Sequence, residues 1–323
     1  MSEFEFINDF LSPLAGPEGL GLKDDAACYT PQDGYELVLT KDTMVEGIHF
    51  PTGAYGADTA ERLIRTNLSD LAAKAAEPLG YLLSLAFPKT MNSRYRAAFA
   101  KGLEVAQQSF PPLTLWGGDT VVTDGPMVIS ATLIGQVKTG EMVRRDSALA
   151  GDDVWVTGPI GDAYLGLQHV LNRKITPPPT GADIWAWEEA YLRPQPRLDM
   201  RDCLIAHATA AADISDGLIA DGGHIALASG VSLSLNFGHI PLSKASQRWM
   251  LGQENIQEAK LGLIVAGDDY EIIFTAPKSS RAVLQNSDHG CVRVGTVESG
   301  QGVFLRAKDG ENIDIQHAGY KHF

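Results

Sequence analysis

The chain has 323 residues, of which 44% are hydrophobic and 20% are charged, a composition typical of a globular protein in water. This length predicts two domains, each large enough to bury its own core. The formal net charge of −14 argues against a nucleic-acid partner, but it allows a phosphorylated small molecule if metal cations separate the like charges.

In chain order, the first half is predicted to mix strands with helices. Apolar residues at helical spacing indicate a long helix over residues 58–76, with Asp70 off the apolar stripe. Residues 42–51 fit neither period and are predicted to form a loop. The other predicted elements are helices at 2–11 and 94–108 and strands at 26–29, 36–40, 81–87, 113–116 and 127–137.

A change of pattern divides the chain near its middle. Residues 139–152 lose periodicity, so they are predicted to link an N-terminal domain of residues 1–138 to a C-terminal domain of residues 153–323. The C-terminal elements are predicted as helices at 184–192 and 197–208, a helix from about 217 to 229, and strands at 154–157, 231–237, 270–275, 292–297 and 303–306. Strands mixed with helices in both halves favour the α/β (α+β) class.

Cysteine usage and the N-terminus indicate where the protein works. Cys28, Cys203 and Cys291 are widely spaced and form no CxxC pair, which favours core positions in a reducing cytosol over disulfides or zinc. The acidic N-terminus does not resemble a signal peptide, and no apolar run reaches the roughly 20 residues of a membrane span. We therefore expect a cytoplasmic protein without a membrane partner.

Carboxylates recur at the ends of apolar segments. Residues 113–120 read LTLWGGDT, in which an apolar run ends in two glycines and Asp119. Because glycine permits a sharp turn or the close approach of a ligand, Asp119 is predicted to lie at the mouth of a strand. Similar placement is found for Asp24, Asp25, Asp42, Asp70, Asp213, Asp216, Asp268 and Asp269.

This residue set indicates chemistry that uses oxygen ligands. Clustered carboxylates raise one another's pKa unless cations separate them, and Mg²⁺ prefers carboxylates together with substrate phosphates. Several Mg²⁺ ions with a nucleoside triphosphate are the expected ligands. Residues 215–217 are predicted to open a helix whose N–H groups suit a phosphate, with an ordinary helix cap as the alternative. No zinc-ligand spacing links His169, His207, His224 and His239.

Other nucleotide-binding and hydrolase motifs are missing from the sequence. It has no P-loop, no dinucleotide-binding glycine pattern at the start of a helix, and no nucleophile elbow of a serine hydrolase. Eight segments instead resemble the thiamine-monophosphate kinase family, in that family's order along almost the whole chain. They are KDDAA, KDTMVEGIHF, NLSDLAAKAAEP, GGDT, RRDSALAGD, DISDGLIADGGHI, GDDYE and GYKHF.

The resemblance implies a fold, an assembly and a reaction. The fold is the two-domain aminoimidazole ribonucleotide synthetase-like one, with a mixed sheet and helices in the N-terminal domain and an α/β C-terminal domain. The assembly is a homodimer paired through N-terminal strands, with ATP near the interface. The reaction is the phosphorylation of thiamine monophosphate (TMP) to thiamine diphosphate by direct in-line transfer, with several Mg²⁺ ions and ATP as co-substrate.

The resemblance also implies site residues, matched motif by motif. The implied metal ligands are Asp25, Thr40, Asp42, Asp70, Asp119, Asp213 and Asp216. The implied ATP-binding residues are Gly118, Asp119, Arg145 and Ser215, of which Asp119 and Arg145 are also predicted to be catalytic. The implied substrate-binding residues are His49, Asp268 and Tyr320.

Three residues depart from the family pattern. Lys23 replaces a glycine, Lys41 replaces a threonine, and Asp268 replaces a glutamate. Lys41 stands next to Asp42, and we predict that its ammonium reaches the polyphosphate and lowers the requirement for Mg²⁺, with a solvent-facing ammonium that changes nothing as the alternative. Lys23 and Lys41 also support an alternative, a non-catalytic regulatory protein that binds Mg-nucleotide. The other alternative is a different ATP-using enzyme of the same superfamily.

Overall fold

A computed structural model of the chain describes residues 2–315 and Gly319. The chain divides into two compact units. The first comprises the chain up to Leu71 together with Ala76–Glu141, and the second comprises Ala72–Ala75 and the chain from Met142 onwards. The domain bounds that the sequence predicts stay a prediction. Within the described residues, no helix is both long and apolar enough to cross a membrane.

The first unit combines a sheet with helices. Its elements are α1 Glu3–Phe6, a π-turn at Ile7–Leu11, 3₁₀ turns at Ser12–Leu14 and Pro17–Leu22, β1 Tyr35–Val45, α2 Ala57–Ala73, β2 Glu77–Pro88, α3 Ser93–Ser109, β3 Thr114–Thr123 and β4 Val128–Lys138. Among the described residues the sheet has four strands in the order β1-β4-β2-β3. β4 runs antiparallel to both of its neighbours, whereas β2 and β3 are parallel. The sheet is therefore mixed, and β1 and β3 lie at its edges.

In the described part of the chain, helices α2 and α3 pack on one face of this sheet and on the other face neither does. The apolar stripe of α2, which includes Leu63, Leu68 and Leu71, is fully buried, as its helical spacing predicts. Phe99 of α3 packs edge-to-face on Phe87 of β2, with ring centroids 5.8 Å apart. The opposite face carries apolar side chains that remain partly exposed, and these are Leu37, Leu39, Leu82 and Val121.

Several predictions for the first unit are wrong. Residues 26–29 form no strand, and the ring of Tyr29 instead stacks on Trp116, with ring centroids 5.0 Å apart. Cys28 is exposed and fills no core position. The first residues of the predicted loop 42–51 belong to β1, which stays paired with β4 as far as Val45. Asp119 lies inside β3 and not at its mouth, because β3 remains paired with β2 as far as Thr123.

The second unit is larger and is also mixed. Its elements are β5 Asp153–Val156, α4 Asp162–Val170, α5 Gly181–Leu192, α6 Arg201–His207, β6 Ala210–Asp213, α7 Leu218–Ser229, β7 Ser232–Asn236, α8 Lys244–Leu251, α9 Ile256–Val265, β8 Ile272–Ala276, α10 Arg281–Gln285, β9 Val292–Glu298, β10 Gly302–Arg306 and β11 Asn312–Ile313. The described strands have the order β11-β10-β7-β9-β5-β8-β6. Helices α4, α8, α9 and α10 were not predicted from the sequence.

The pairing of β6 with β8 positions the segment that follows β6 beside the segment that precedes β8. All residues of both strands are buried, in keeping with their apolar composition. The strands are antiparallel, with Asp213 opposite Ile272. The chain that leaves β6 therefore lies beside the chain that enters β8, and motifs about 50 residues apart become neighbours.

Candidate active site

In the first unit, the implied metal ligands at β1 and α2 come together. Thr40 of β1 donates its hydroxyl to the carboxylate of Asp70 in the last turn of α2, at 2.5 Å. Asn67, one turn earlier, accepts the backbone N–H of Asp42 at 3.0 Å and so ties α2 to β1. Side chains two apart on a strand share a face, so Asp42 lies on the same face as Thr40. Three oxygen-bearing side chains therefore converge here, and Asp70 is half-buried instead of fully solvated.

Lys41 lies on the other face of β1. Its ammonium donates to the hydroxyl of Ser130 at 2.6 Å, and Thr43 donates to the same hydroxyl at 3.0 Å. Ser130 is opposite Thr43 in the β1–β4 register, so these side chains share the face that the helices leave uncovered. Lys41 is therefore on the opposite face from Asp42 and on the same face as Asp119, and the expectation that its ammonium reaches the polyphosphate stays a prediction.

A second group of predicted residues lies around a cavity at the β3 edge. The cavity has a volume of about 560 Å³. Asp25, Gly118 and Asp119 line it, together with the stacked rings of Tyr29 and Trp116. Carboxylates beside an aromatic wall suit a ligand with one charged and one flat apolar part.

Asp119 is not close to the Thr40–Asp70 pair within this unit. The register places Asp119 opposite Ser84, which in turn lies opposite Ser130, so Asp119 is on the uncovered face of the sheet. Thr40 and Asp42 are on the other face and at the other edge. The metal ligands implied by the resemblance thus fall into two separate groups in the first unit.

His49 follows β1 in a turn held by a buried carboxylate. Glu46 accepts the backbone N–H groups of Gly53 and Met127 and the hydroxyl of Tyr55, at 2.8 to 2.9 Å. Burial raises the pKa of Glu46, but these three hydrogen bonds outweigh burial and the net pKa is lowered. Nδ1 of His49 accepts the N–H of Val45 at 3.1 Å, which places the proton of the neutral ring on Nε2.

In the second unit, the turn after β6 is paired with the GDDYE segment. The N–H of Asp268 donates to the carbonyl of Ser215, and the N–H of Tyr270 donates to the carbonyl of Ile214, both at 2.8 Å. A Cβ on Gly267 would lie 2.1 Å from the Ser215 carbonyl oxygen, so this close approach requires glycine. The pairing places Asp268, an implied substrate residue, next to Ser215, an implied ATP residue.

The GDDYE segment also holds an unusual backbone. Asp268 and Tyr270 both have positive φ, at 72° and 53°, a conformation that costs free energy in residues other than glycine. The hydroxyl of Tyr270 donates to the Asp268 carboxylate at 3.2 Å. The surrounding hydrogen bonds therefore fix where the Asp268 carboxylate lies.

The backbone N–H groups of residues 215–217 are already used within the protein. Those of Ser215, Asp216 and Gly217 all donate to one carboxylate oxygen of Asp221, at 3.0, 3.0 and 3.2 Å. The prediction that these N–H groups receive a phosphate is therefore wrong for this structure. Burial and the neighbouring Asp216 carboxylate raise the pKa of Asp221 to about 7.

Asp216, an implied metal ligand, forms a group of donors with Asp221 and His224, two residues that sequence reasoning missed. Each offers a ligand atom, and these atoms lie within 4.8 Å of one another. Arg145 is exposed and near enough for its charge to lower the pKa of Asp221. Asp213 precedes this group at the end of β6 and is buried. The available signal was spacing, since Asp221 and His224 are three apart and share a face of α7.

Comparisons with known proteins show the family of this chain. The N-terminal domain model of AIR synthase related proteins matches residues 23–137. Thiamine-monophosphate kinase of Caulobacter vibrioides is 40% identical over 327 residues, which cover 99% of this chain and 91% of that protein. The chain belongs to the thiamine-monophosphate kinase family. The family prediction made from the eight sequence segments is thereby confirmed.

Solved structures of thiamine-monophosphate kinases have the same fold. The enzyme from Stenotrophomonas maltophilia superposes with a TM-score of 0.82 at 35% identity, covering 97% of this chain and 98% of that one. A structure described as AaThiL complexed with AMPPCP and TMP has a TM-score of 0.79 at 30% identity, covering 99% and 97%. The predicted two-domain α/β fold class is confirmed. Tyr320, the last implied substrate residue, lies outside the described residues.

Proposed function

We propose that this chain is a thiamine-monophosphate kinase that transfers the γ-phosphoryl group of ATP to TMP. The observation that carries the proposal is the hydrogen bond from the N–H of Asp268 to the carbonyl of Ser215. It places a residue implied to bind the acceptor beside a residue implied to bind the donor. Family membership supports the same reaction, and so does a similar structure that holds TMP with AMPPCP, an ATP analogue.

The implied residues take roles that match their surroundings. Gly118, Asp119, Arg145 and Ser215 would bind ATP, with the cavity beside Tyr29 and Trp116 as a place for the flat base. Ser215 would do so through its hydroxyl, because its N–H is donated to Asp221. His49 and Asp268 would hold TMP, together with Tyr320.

The donor set fits magnesium. The implied ligands Asp25, Thr40, Asp42, Asp70, Asp119, Asp213 and Asp216 all offer oxygen, which is the ligand atom that Mg²⁺ prefers. His224 beside Asp216 is the one nitrogen donor in the group around Asp221. Bound Mg²⁺ would offset the negative charge of the polyphosphate.

The chemistry requires positioning more than proton transfer. A phosphate oxygen of TMP, already anionic at neutral pH, would attack the γ-phosphorus in line, forming a new P–O bond as the bond to the ADP oxygen breaks. No general base is needed, because the attacking oxygen carries no proton that must be removed. Arg145 and the metal ligands would stabilise charge on the transferred group, and Asp268 would hold the acceptor in line.

We also propose a homodimer built on the uncovered face of the first sheet. Leu37, Leu39, Leu82 and Val121 lie on this face, and Leu39 is 63% exposed. Placing a charge there by Leu39→Glu should convert a dimer to monomers in light scattering. A dimer that persists in this variant would mean that the copies pair elsewhere. The cytoplasmic location stays a prediction.

The direct test is turnover with ATP and TMP. The purified chain should form thiamine diphosphate and ADP in equal amounts when Mg²⁺ is present. Asp119→Asn should abolish turnover, whereas Asp124→Asn should not. Asp124 is a matched control because it follows β3 on the surface, where it is paired with Lys89.

Mg-ATP binding without turnover would favour the non-catalytic regulatory protein. Phosphorylation of another acceptor, without phosphorylation of TMP, would favour a different enzyme of the superfamily.

A further inference from the structure

Asp221 is a buried carboxylate to which the family resemblance assigns no role. It is 1% exposed and lies in the first turn of α7. One of its oxygens receives the N–H groups of Ser215, Asp216 and Gly217, the three residues that join β6 to α7. An oxygen that accepts the N–H groups of three consecutive residues holds all three around one point, so this side chain can define the path of the turn.

The turn is fixed from a second side as well. Gly217 has a φ of +116°, and a Cβ there would lie 2.5 Å from the carbonyl oxygen of Val265, so the backbone has little room to move. The carbonyl of Ser215 is engaged by the N–H of Asp268. With the N–H groups and this carbonyl occupied inside the protein, the half-buried side chains of Ser215 and Asp216 are what the turn can offer to a ligand.

We propose that Asp221 is a positioning residue of the kinase reaction. By binding the three N–H groups, it holds the turn in the one arrangement that presents the Ser215 hydroxyl to the nucleotide and the Asp216 carboxylate to the metal. This inference rests on the proposed function. It assigns to Asp221 a role in Mg-ATP binding that goes through Ser215 and Asp216, without contact with the substrate.

Two variants separate positioning from general stabilisation. Asp221→Asn keeps the size of the side chain but weakens the three hydrogen bonds, because it replaces two carboxylate oxygens with one weaker amide oxygen and an NH2 group that only donates. Asp153→Asn is the matched control, because Asp153 is 0% exposed in the same unit and binds Arg281 and Arg293 at β5. Both variants are expected to unfold at a lower temperature than the wild type.

The two variants should differ in nucleotide binding. Loss of a residue that orients a metal ligand typically costs 10- to 100-fold in affinity or activity. Asp221→Asn should therefore raise both the Kd of ATP, measured calorimetrically in Mg²⁺, and the KM for ATP by about 10- to 100-fold. The KM for TMP should change far less. Asp153→Asn should leave the Kd of ATP unchanged at a temperature where it is folded.

Hydrogen exchange gives a readout that needs no turnover. The amides of residues 215–217 should exchange faster in Asp221→Asn than in the wild type, and unchanged rates would overturn the proposal. An unchanged Kd of ATP in Asp221→Asn would also overturn it, as would equal weakening of ATP binding in Asp153→Asn. A wild-type chain that binds Mg-ATP but does not phosphorylate TMP would contradict the proposed function, while the ratio of Kd values would still decide the role of Asp221.

Discussion

Ser215 gives a sharp test of how the turn after β6 meets the nucleotide. Its N–H is donated to Asp221 and its carbonyl accepts from Asp268, so its hydroxyl is the group that can contact ATP. A hydrogen bond to a charged group contributes about 1.5 to 3 kcal/mol. Since 1.4 kcal/mol is a factor of ten in affinity, Ser215→Ala is expected to weaken ATP binding by about 10- to 150-fold.

Calorimetric titration of ATP in the presence of Mg²⁺ measures this effect directly. Ser215→Thr keeps the hydroxyl and should bind ATP more tightly than Ser215→Ala. Ser287→Ala is the control, because that hydroxyl donates to the carbonyl of Leu284 at the end of α10, in a separate part of the second unit. If Ser215→Ala binds ATP as tightly as the wild type does, the Ser215 hydroxyl does not contact ATP. Either a backbone group of the turn binds the nucleotide, or the turn does not bind it at all.

Three further predictions concern charge. Asp70→Asn should abolish turnover while lowering the free energy of unfolding by only about 1 kcal/mol, because Thr40 can still donate to a neutral amide oxygen; near wild-type turnover would exclude Asp70 as a metal ligand. Lys41→Thr should leave Mg²⁺ binding by the Thr40–Asp70 group unchanged, because the ammonium binds Ser130 on the other face of β1, the face that carries Asp119; weaker Mg²⁺ binding at that group, titrated without nucleotide, would contradict this. Burial raises the pKa of Asp269 well above its usual value, so the folded state keeps this proton to higher pH than the unfolded chain does, and stability should fall as pH rises above about 4. The melting temperature of Asp269→Asn should therefore fall less than that of the wild type between about pH 5 and pH 8. An equal fall in the two proteins would show that Asp269 does not cause the pH dependence.

The long periodic elements were predictable because their patterns report burial directly. Helix α2 was placed at 58–76 and runs over Ala57–Ala73, since its apolar stripe faces the sheet and is fully buried. The short apolar run at 26–29 misled for the opposite reason. A run of four apolar residues does not distinguish a strand from an irregular segment, and here the segment contacts β3 through the ring of Tyr29 on Trp116 and not through strand pairing.

The site was predictable in its residues but not in its grouping. Resemblance to a family carries residue identities, and the chain does bring Thr40 to Asp70 and Ser215 to Asp268. The sequence does not show the order of the strands in a sheet. The separation of Asp119 from Thr40 therefore became clear only from the structure. Asp221 was missed because its importance comes from three hydrogen bonds that depend on the exact shape of a turn.

Strand β1 shows how the position of one strand end changes a functional interpretation. If the strand ends at residue 40, Lys41 and Asp42 are loop neighbours, and an ammonium beside a carboxylate is a reasonable partner for a polyphosphate. The strand continues to Val45, so consecutive side chains point to opposite faces. That alternation separates Lys41 from Asp42 and sends the ammonium to Ser130. A departure from the family pattern at this position can therefore leave the Asp42 side of the sheet unaltered, because the two faces contact different elements.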